Sequence, residues 1–134
     1  MFTYQTTVKM HDTDAAGFLF FGDQFKIAHD AYEAFLDSIG YSIKIIITKE
    51  SFILPIVHAE ADYFIPISVG DQISVQLQVE SINKNSFQII YDFLNEYGKI
   101  VGNAKTVHVA VDKQTQKKTT LPAEFAEAIQ QYSS

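Results

Sequence analysis

Cysteine is absent from the 134 residues, which excludes disulfides, thiolate metal sites and cysteine nucleophiles together. Basic charge is scarce: ten Lys and Arg stand against 16 Asp and Glu, a formal net charge of −6. A broad nucleic-acid surface needs a basic footprint, so none is expected, although a small basic patch for a phosphate-bearing ligand fits the same balance. Long apolar runs are missing. Stretches such as 45–47 fall far short of the roughly 20 residues a bilayer requires. The opening residues MFTYQTTVKM lack the basic-then-apolar order of a secretory signal, so a cytoplasmic protein without a membrane partner is expected. No serine stands in a G-x-S-x-G elbow. His11, His29, His58 and His108 show no metal-ligand spacing such as HExxH. The six glycines are scattered rather than gathered into a phosphate-binding loop.

What is present is enough for one packed domain. Hydrophobic residues make up 47% of the chain, and a chain this long buries a core without covalent staples. Residues 2–10 alternate loosely and read as a strand. The spacing of Phe25, Ala28, Tyr32, Phe35, Leu36 and Ile39 predicts a helix over residues 22–39, with Asp23 at its positive end and Gly40 closing it. Ile27, Ala31 and Ala34 widen the apolar surface, so the helix is expected to be covered on more than one side. Residues 41–51, with the run IKIIIT, read equally as a strand or a helical turn. From Ile53 the pattern is β. Ile73, Val75, Leu77 and Val79 alternate with polar residues, and Phe87, Ile89, Tyr91 and Phe93 do the same after the turn at Asn83, Lys84, Asn85 and Ser86. A long strand over 99–112, with Val107, Val109 and Val111 on one face, follows the turn at Asn95–Gly98. Pro122 opens a short last helix. The expectation is an α+β fold: one antiparallel sheet of about five strands, four of them in a meander, wrapped around one long helix.

The chemistry centres on HDTDAAGFLFF, residues 11–21. Asp14 stands about eight residues before the long helix. It closes a turn, or it is a carboxylate held near a helix N-terminus whose N–H groups stabilise an oxyanion. Gly17 lets backbone approach a ligand. Asp12 and Asp14 alone are too few carboxylates for a dedicated divalent-cation site, so no metal and no cofactor are expected. His29 and Glu33 are most simply an i,i+4 pair. His58, among apolar strand neighbours, reads as a partly buried, satisfied histidine, with a pocket-lining role as the alternative.

These blocks resemble the hotdog-fold acyl-CoA thioesterases of the 4-hydroxybenzoyl-CoA thioesterase type. The likeness rests on Asp12-Thr13-Asp14-Ala15-Ala16-Gly17, the apolar residues 18–21 and the long helix. His29-Asp30-Ala31-Tyr32-Glu33, Leu54-Pro55-Ile56-Val57-His58-Ala59 and Asp62-Tyr63-Phe64-Ile65-Pro66 resemble more closely the 1,4-dihydroxy-2-naphthoyl-CoA thioesterases of quinone biosynthesis. The likeness covers nearly the whole chain, taken as one domain over 1–134. It implies Asp14 as the catalytic carboxylate, by direct attack or by activating water. The oxyanion donors fall at Phe21 and Gly22 at the helix start. In some relatives a tyrosine stands at Phe21, so here the N–H remains and the hydroxyl is lost. Gly17, Phe18 and His58 line the acyl pocket. In the family a basic cluster before a Ser-Phe pair meets the nucleotide phosphates; here only Lys84 of Asn83-Lys84-Asn85 is basic, so Lys105 or Lys117 shares that task. The likeness also implies a homodimer or homotetramer with the site at a subunit interface. A thioesterase for short or medium aliphatic acyl-CoA or carrier-protein esters, and a non-catalytic acyl-CoA-binding module, are the alternatives.

Overall fold

The computed structural model describes residues 1–133. Strand β1 (Phe2–Thr7) runs into a single 3-10 turn (Met10–Asp12) and a loop, and helix α1 (Asp23–Ser38) follows. A second helix, α2 (Ile43–Lys49), precedes the short β2 (Phe52–Ile53) and then β3 (Ile56–Tyr63), β4 (Gln72–Ile82), β5 (Ser86–Leu94), β6 (Ile100–Val109), the short β7 (Val111–Asp112) and α3 (Ala123–Gln130). The main sheet has the order β1-β4-β5-β6-β3, and every pairing is antiparallel. No helix of the described residues is long and apolar enough to cross a membrane.

Helix α1 packs on one face of this sheet. Its buried residues are Gln24, Ile27, Ala28, Ala31, Tyr32, Phe35 and Leu36, a stripe at spacings of three and four. Against it lie the inward residues of β4 (Ile73, Val75, Leu77, Val79) and β5 (Phe87, Ile89, Tyr91, Phe93), each almost free of solvent. Period-2 alternation in two neighbouring strands and period-3.6 in one helix therefore meet in a single core. Phe125 and Ile129 of α3 close its end. Gly40 ends α1 with φ +85°, a conformation glycine adopts freely, which turns the Tyr41 N–H back to the Leu36 carbonyl at 2.9 Å.

Two expectations change, and one open choice is decided. The four-strand meander is a three-strand one: β3 skips β4 and pairs with the far side of β6, as Ala59 opposite Thr106 and Tyr63 opposite Gly102. The connection of residues 64–71 carries the chain across the sheet. The open choice over residues 41–51 falls to the helix, at Ile43–Lys49, although β-branched isoleucine dominates it, because both ends are capped. Ser42 Oγ accepts the Ile45 N–H, and the Lys113 ammonium donates to the carbonyls of Ile46, Ile47 and Glu50, where it also meets the negative end of the helix. The strand over 99–112 is broken at Ala110. Val111 joins a separate two-stranded sheet with β2, and the inward face of β6 belongs to Ala104, Thr106 and His108 rather than to Val107.

Candidate active site

The loop before α1 separates its two carboxylates. Asp12 is buried: Oδ1 accepts from the Lys26 ammonium at 2.9 Å and Oδ2 from the Lys9 N–H at 3.1 Å. Burial alone would raise its pKa, but these partners hold it below the usual carboxylate range. It fastens the loop to α1. Asp14, two residues on, is exposed. Its Oδ1 accepts the N–H groups of Ala16 at 2.8 Å and Phe18 at 3.2 Å, and its own N–H meets the Phe18 carbonyl at 2.7 Å. The turn residue and the free carboxylate are thus one residue: Oδ1 shapes the loop, and no hydrogen bond among the described residues reaches Oδ2. Gly17 sits at φ +83° with nothing within 4 Å of where a Cβ would stand, leaving its backbone open. The two aspartates serve different contacts, and no group of three metal-ligating side chains occurs among the described residues.

The loop delivers the chain to the start of α1. Gly22 is the N-cap and offers no side chain to the first turn. The Phe20 N–H is taken by the Asp12 carbonyl at 2.9 Å, and the Asp23 N–H by the Phe20 carbonyl at 2.8 Å. The N–H groups of Phe21, Gly22 and Gln24 have no acceptor among the described residues. Such N–H groups at the positive end of a 16-residue helix are placed to receive an anionic oxygen. Beside them opens an apolar cleft of about 480 Å³ lined by Phe18, Leu19, Phe21, Gln24, Tyr63, Phe64, Ile65, Pro66 and Ile67. Phe21 is 66% exposed and Phe64 56%, an aromatic surface a single chain leaves uncovered. The Tyr63 hydroxyl donates to the Phe21 carbonyl at 2.7 Å.

Of the residues read from sequence, Phe18 and Phe21 line this cleft, and Asp14, Gly17 and Gly22 belong to the loop that frames it. His58 does not join them. It is exposed on β3 and paired with Glu60 at 3.0 Å, which corrects the expectation of a partly buried histidine: β3 is an edge strand, so its apolar neighbours are exposed as well. At about 3.3 Å per residue it lies roughly 16 Å along β3 from Tyr63. Lys84 is exposed in the β4–β5 turn. Lys105 lies on β6 opposite Ile90 and pairs with Glu80 at 3.4 Å. Four residues of β5 separate the ends these two lysines mark, roughly 13 Å, so they do not form one cluster. Lys117 is exposed beyond β7.

The histidine buried in the core is His108. Its Nε2 bonds Thr106 Oγ1 at 2.8 Å, which bonds the Tyr91 hydroxyl at 2.9 Å. Phe87 stacks on one side at 4.9 Å and Tyr32 at 4.4 Å. Burial pushes its pKa down to about 4, although the nearby Leu54 carbonyl favours the charged form; Nδ1 itself closes no hydrogen bond. The ring is neutral at pH 7. Sequence reading missed Gln24 as well. Its signal was there, as the one polar side chain on the buried stripe of α1.

Residues 8–129 match the family model described as the thioesterase-like superfamily. The chain is 37% identical over 120 residues to a 1,4-dihydroxy-2-naphthoyl-CoA hydrolase of Rippkaea orientalis, an alignment covering 88% of this chain and 87% of that one. It is 32% identical over 130 residues to the Synechococcus elongatus protein of the same name, covering 96% and 95%. The crystal structure of a 1,4-dihydroxy-2-naphthoyl-CoA thioesterase from Synechocystis superposes with a TM-score of 0.89 at 35% identity, covering 96% of this chain and 94% of that one.

Proposed function

The chain belongs to the thioesterase-like superfamily, and from that premise we propose that it is an acyl-CoA thioesterase acting on 1,4-dihydroxy-2-naphthoyl-CoA. The observation that carries the reading is the pairing of the Asp14 carboxylate, one oxygen of it uncommitted, with the unspent N–H groups at the head of α1. The relatives named for this activity supply the acyl group. An aromatic cleft of Phe18, Phe21, Tyr63 and Phe64 suits a flat bicyclic ring.

In this reading the thioester carbonyl oxygen sits on the N–H groups of Phe21 and Gly22, which stabilise the charge that develops there. Asp14 attacks the carbonyl carbon, expelling the CoA thiolate and leaving a mixed anhydride that water then cleaves, or it takes a proton from the attacking water. In both routes the thiolate leaves and is protonated, and the acid is released. Gly17 keeps the loop backbone clear of the acyl group. Phe21 presents only its backbone N–H, so no hydroxyl assists at that position.

The active unit is an assembly of this chain. Strand β3 presents eight residues on an open edge, with Ile56, Val57, Tyr63 and Phe64 exposed around the polar His58, Glu60 and Asp62, and its free row of N–H and C=O groups is a template on which a second chain can pair. A second copy added there supplies His58 to the cleft, which it cannot reach within its own chain. A homodimer is the minimal unit and a homotetramer its doubling. Lys84 and Lys105 receive the nucleotide phosphates of CoA, Lys105 after releasing Glu80. The proposed place of action is the cytoplasm, as the sequence led one to expect.

Thiol release from dihydroxynaphthoyl-, hydroxybenzoyl- and straight-chain acyl-CoA, with wild type and Asp14→Asn in parallel, tests the reading. Fast cleavage of the aromatic esters, lost in the variant, is expected. Preference for a straight chain would move the substrate to the aliphatic class. Binding of CoA esters without turnover would make the protein a non-catalytic acyl-CoA module.

A further inference from the structure

Gln24 occupies a position where the pattern of α1 calls for an apolar side chain. It is 1% exposed, and a buried amide is costly unless its polar atoms are bonded. Its Nε2 donates to two main-chain carbonyls, Asp62 on β3 at 3.1 Å and Asn103 on β6 at 2.8 Å. Those two residues face each other in the β3–β6 ladder, so one side chain clamps both strands at one rung. The sheet makes room for it. A Cβ on Gly102 would stand 3.0 Å from Gln24 Nε2, from Gln24 Oε1 and from the Asp62 carbonyl. Glycine is needed there for close approach, since its φ is not in the left-handed region.

A second tie reaches the same helical turn. The Tyr63 hydroxyl, also on β3, holds the Phe21 carbonyl at 2.7 Å. In a trans peptide the carbonyl and the following N–H lie in one plane and point in opposite directions. Holding the Phe21 carbonyl therefore aims the Gly22 N–H the other way. The preceding peptide is held likewise, because the Phe20 carbonyl accepts the Asp23 N–H at 2.8 Å, and this aims the Phe21 N–H. Both donors assigned to the oxyanion are thus oriented by bonds on the far side of their own peptide planes. Gln24 fixes the turn that carries them to the edge strand.

We propose that Gln24 and Tyr63 are positioning residues that lock the first turn of α1 to β3 and so aim the Phe21 and Gly22 N–H groups at the thioester oxygen. The inference rests on the thioesterase reading above. It adds that the oxyanion site is registered to the strand on which a second copy docks. Donors that matter only as charge develops affect kcat rather than ground-state binding.

The test is steady-state hydrolysis of dihydroxynaphthoyl-CoA by wild type, Gln24→Met, Gly102→Ala and Tyr63→Phe. Thermal melting and size-exclusion profiles are recorded for each, and assays are run well below every melting point. Gln24→Met keeps the length and removes the donors. Gly102→Ala keeps the amide and pushes it aside. Tyr63→Phe removes one hydroxyl. The expected result is kcat lowered roughly ten- to a hundredfold in each, with KM within about twofold. Unchanged kcat in folded Gln24→Met, with only the melting point lowered, would make Gln24 a structural clamp and overturn the proposal. Should Gln24→Met fail to fold, Tyr63→Phe decides, and unchanged kcat there overturns it equally. A wild type that hydrolyses no thioester sinks the functional reading itself. Activity in the wild type that is lost in Asp14→Asn separates that failure from this one.

Discussion

The two sides of the sheet are built to different specifications. Around β4 and β5 the inward side chains are sealed, with Val75, Leu77, Phe87, Ile89 and Phe93 free of solvent and the one hydroxyl, that of Tyr91, bonded to Thr106. Around β3 and the loop of residues 12–24 the large apolar residues face outward, as Phe18, Phe21, Val57 and Phe64 do. The polar groups there are tied one by one, Asp12 to Lys26, Gln24 to two carbonyls, Tyr63 to a third. The sealed side is what a single chain needs in order to fold. The open side leaves large apolar residues in water, and in the proposed assembly a ligand and a second copy cover them. Asp12 and Asp14 compress the contrast into three residues: one carboxylate is committed to the scaffold through both oxygens, and the next keeps one oxygen without a partner among the described residues.

The largest effects test that division directly. Asp14→Asn is expected to cut turnover by about 10²–10⁴-fold and to leave stability within roughly 0.5 kcal/mol, since the asparagine oxygen can still accept from Ala16 and Phe18. Phe35→Ala, on the sealed side and 0% exposed, is expected to cost about 3–5 kcal/mol in denaturant unfolding. If Asp14→Asn unfolds the protein, or Phe35→Ala leaves its stability intact, the two sides are not separable as described.

A smaller effect sharpens the sealed side. His108 has its pKa depressed from 6.5 to about 4 by burial, so the unfolded chain takes up its proton first as pH falls. Stability is therefore lost between pH 6.5 and 4, by about 3 kcal/mol from this one group, and is independent of it above pH 7. Unfolding free energies of wild type and His108→Gln across that window should differ in slope, the wild type being steeper; parallel profiles would mean the ring is not held neutral. The smallest effect on stability belongs to the open edge. Val57→Lys, at a residue 60% exposed on β3, should change the folding free energy of the chain by less than about 0.5 kcal/mol. It should lower the molecular mass seen in sedimentation and take activity down with it. An assembly that survives the charge would place the subunit contact elsewhere.

The legible parts of the fold were those in which one residue's period reports one neighbour. Helix α1 showed itself through Ala28, Tyr32 and Phe35, and β4 and β5 through strict alternation, because burial on one face leaves that trace. Residues 41–51 hid their helix because its decisive contact, Lys113 on the carbonyls of α2, comes from more than sixty residues away. His58 was misread as partly buried, and the buried His108 went unremarked, for a related reason. Both stand among apolar neighbours in strands, but one strand is an edge and the other has a neighbour on each side. The loop of residues 12–17 was legible as a site through its resemblance, and as a turn through its composition; that Asp14 is both turn residue and free carboxylate appeared only in the folded loop.

Readable from the sequence were the α+β class, the long helix, the central hairpin, the acidic balance that argues against a broad nucleic-acid surface and the aspartate on which the proposed chemistry rests. Local patterns suffice for these, since each depends on which side of one element is apolar. Tertiary structure alone decided that β3 lies beside β6, that Gln24 reaches through a gap left by Gly102, and that Tyr63 holds the peptide before the helix. These depend on which distant backbone groups come within hydrogen-bonding distance, and a pattern along the chain does not record how far apart two of its strands will lie.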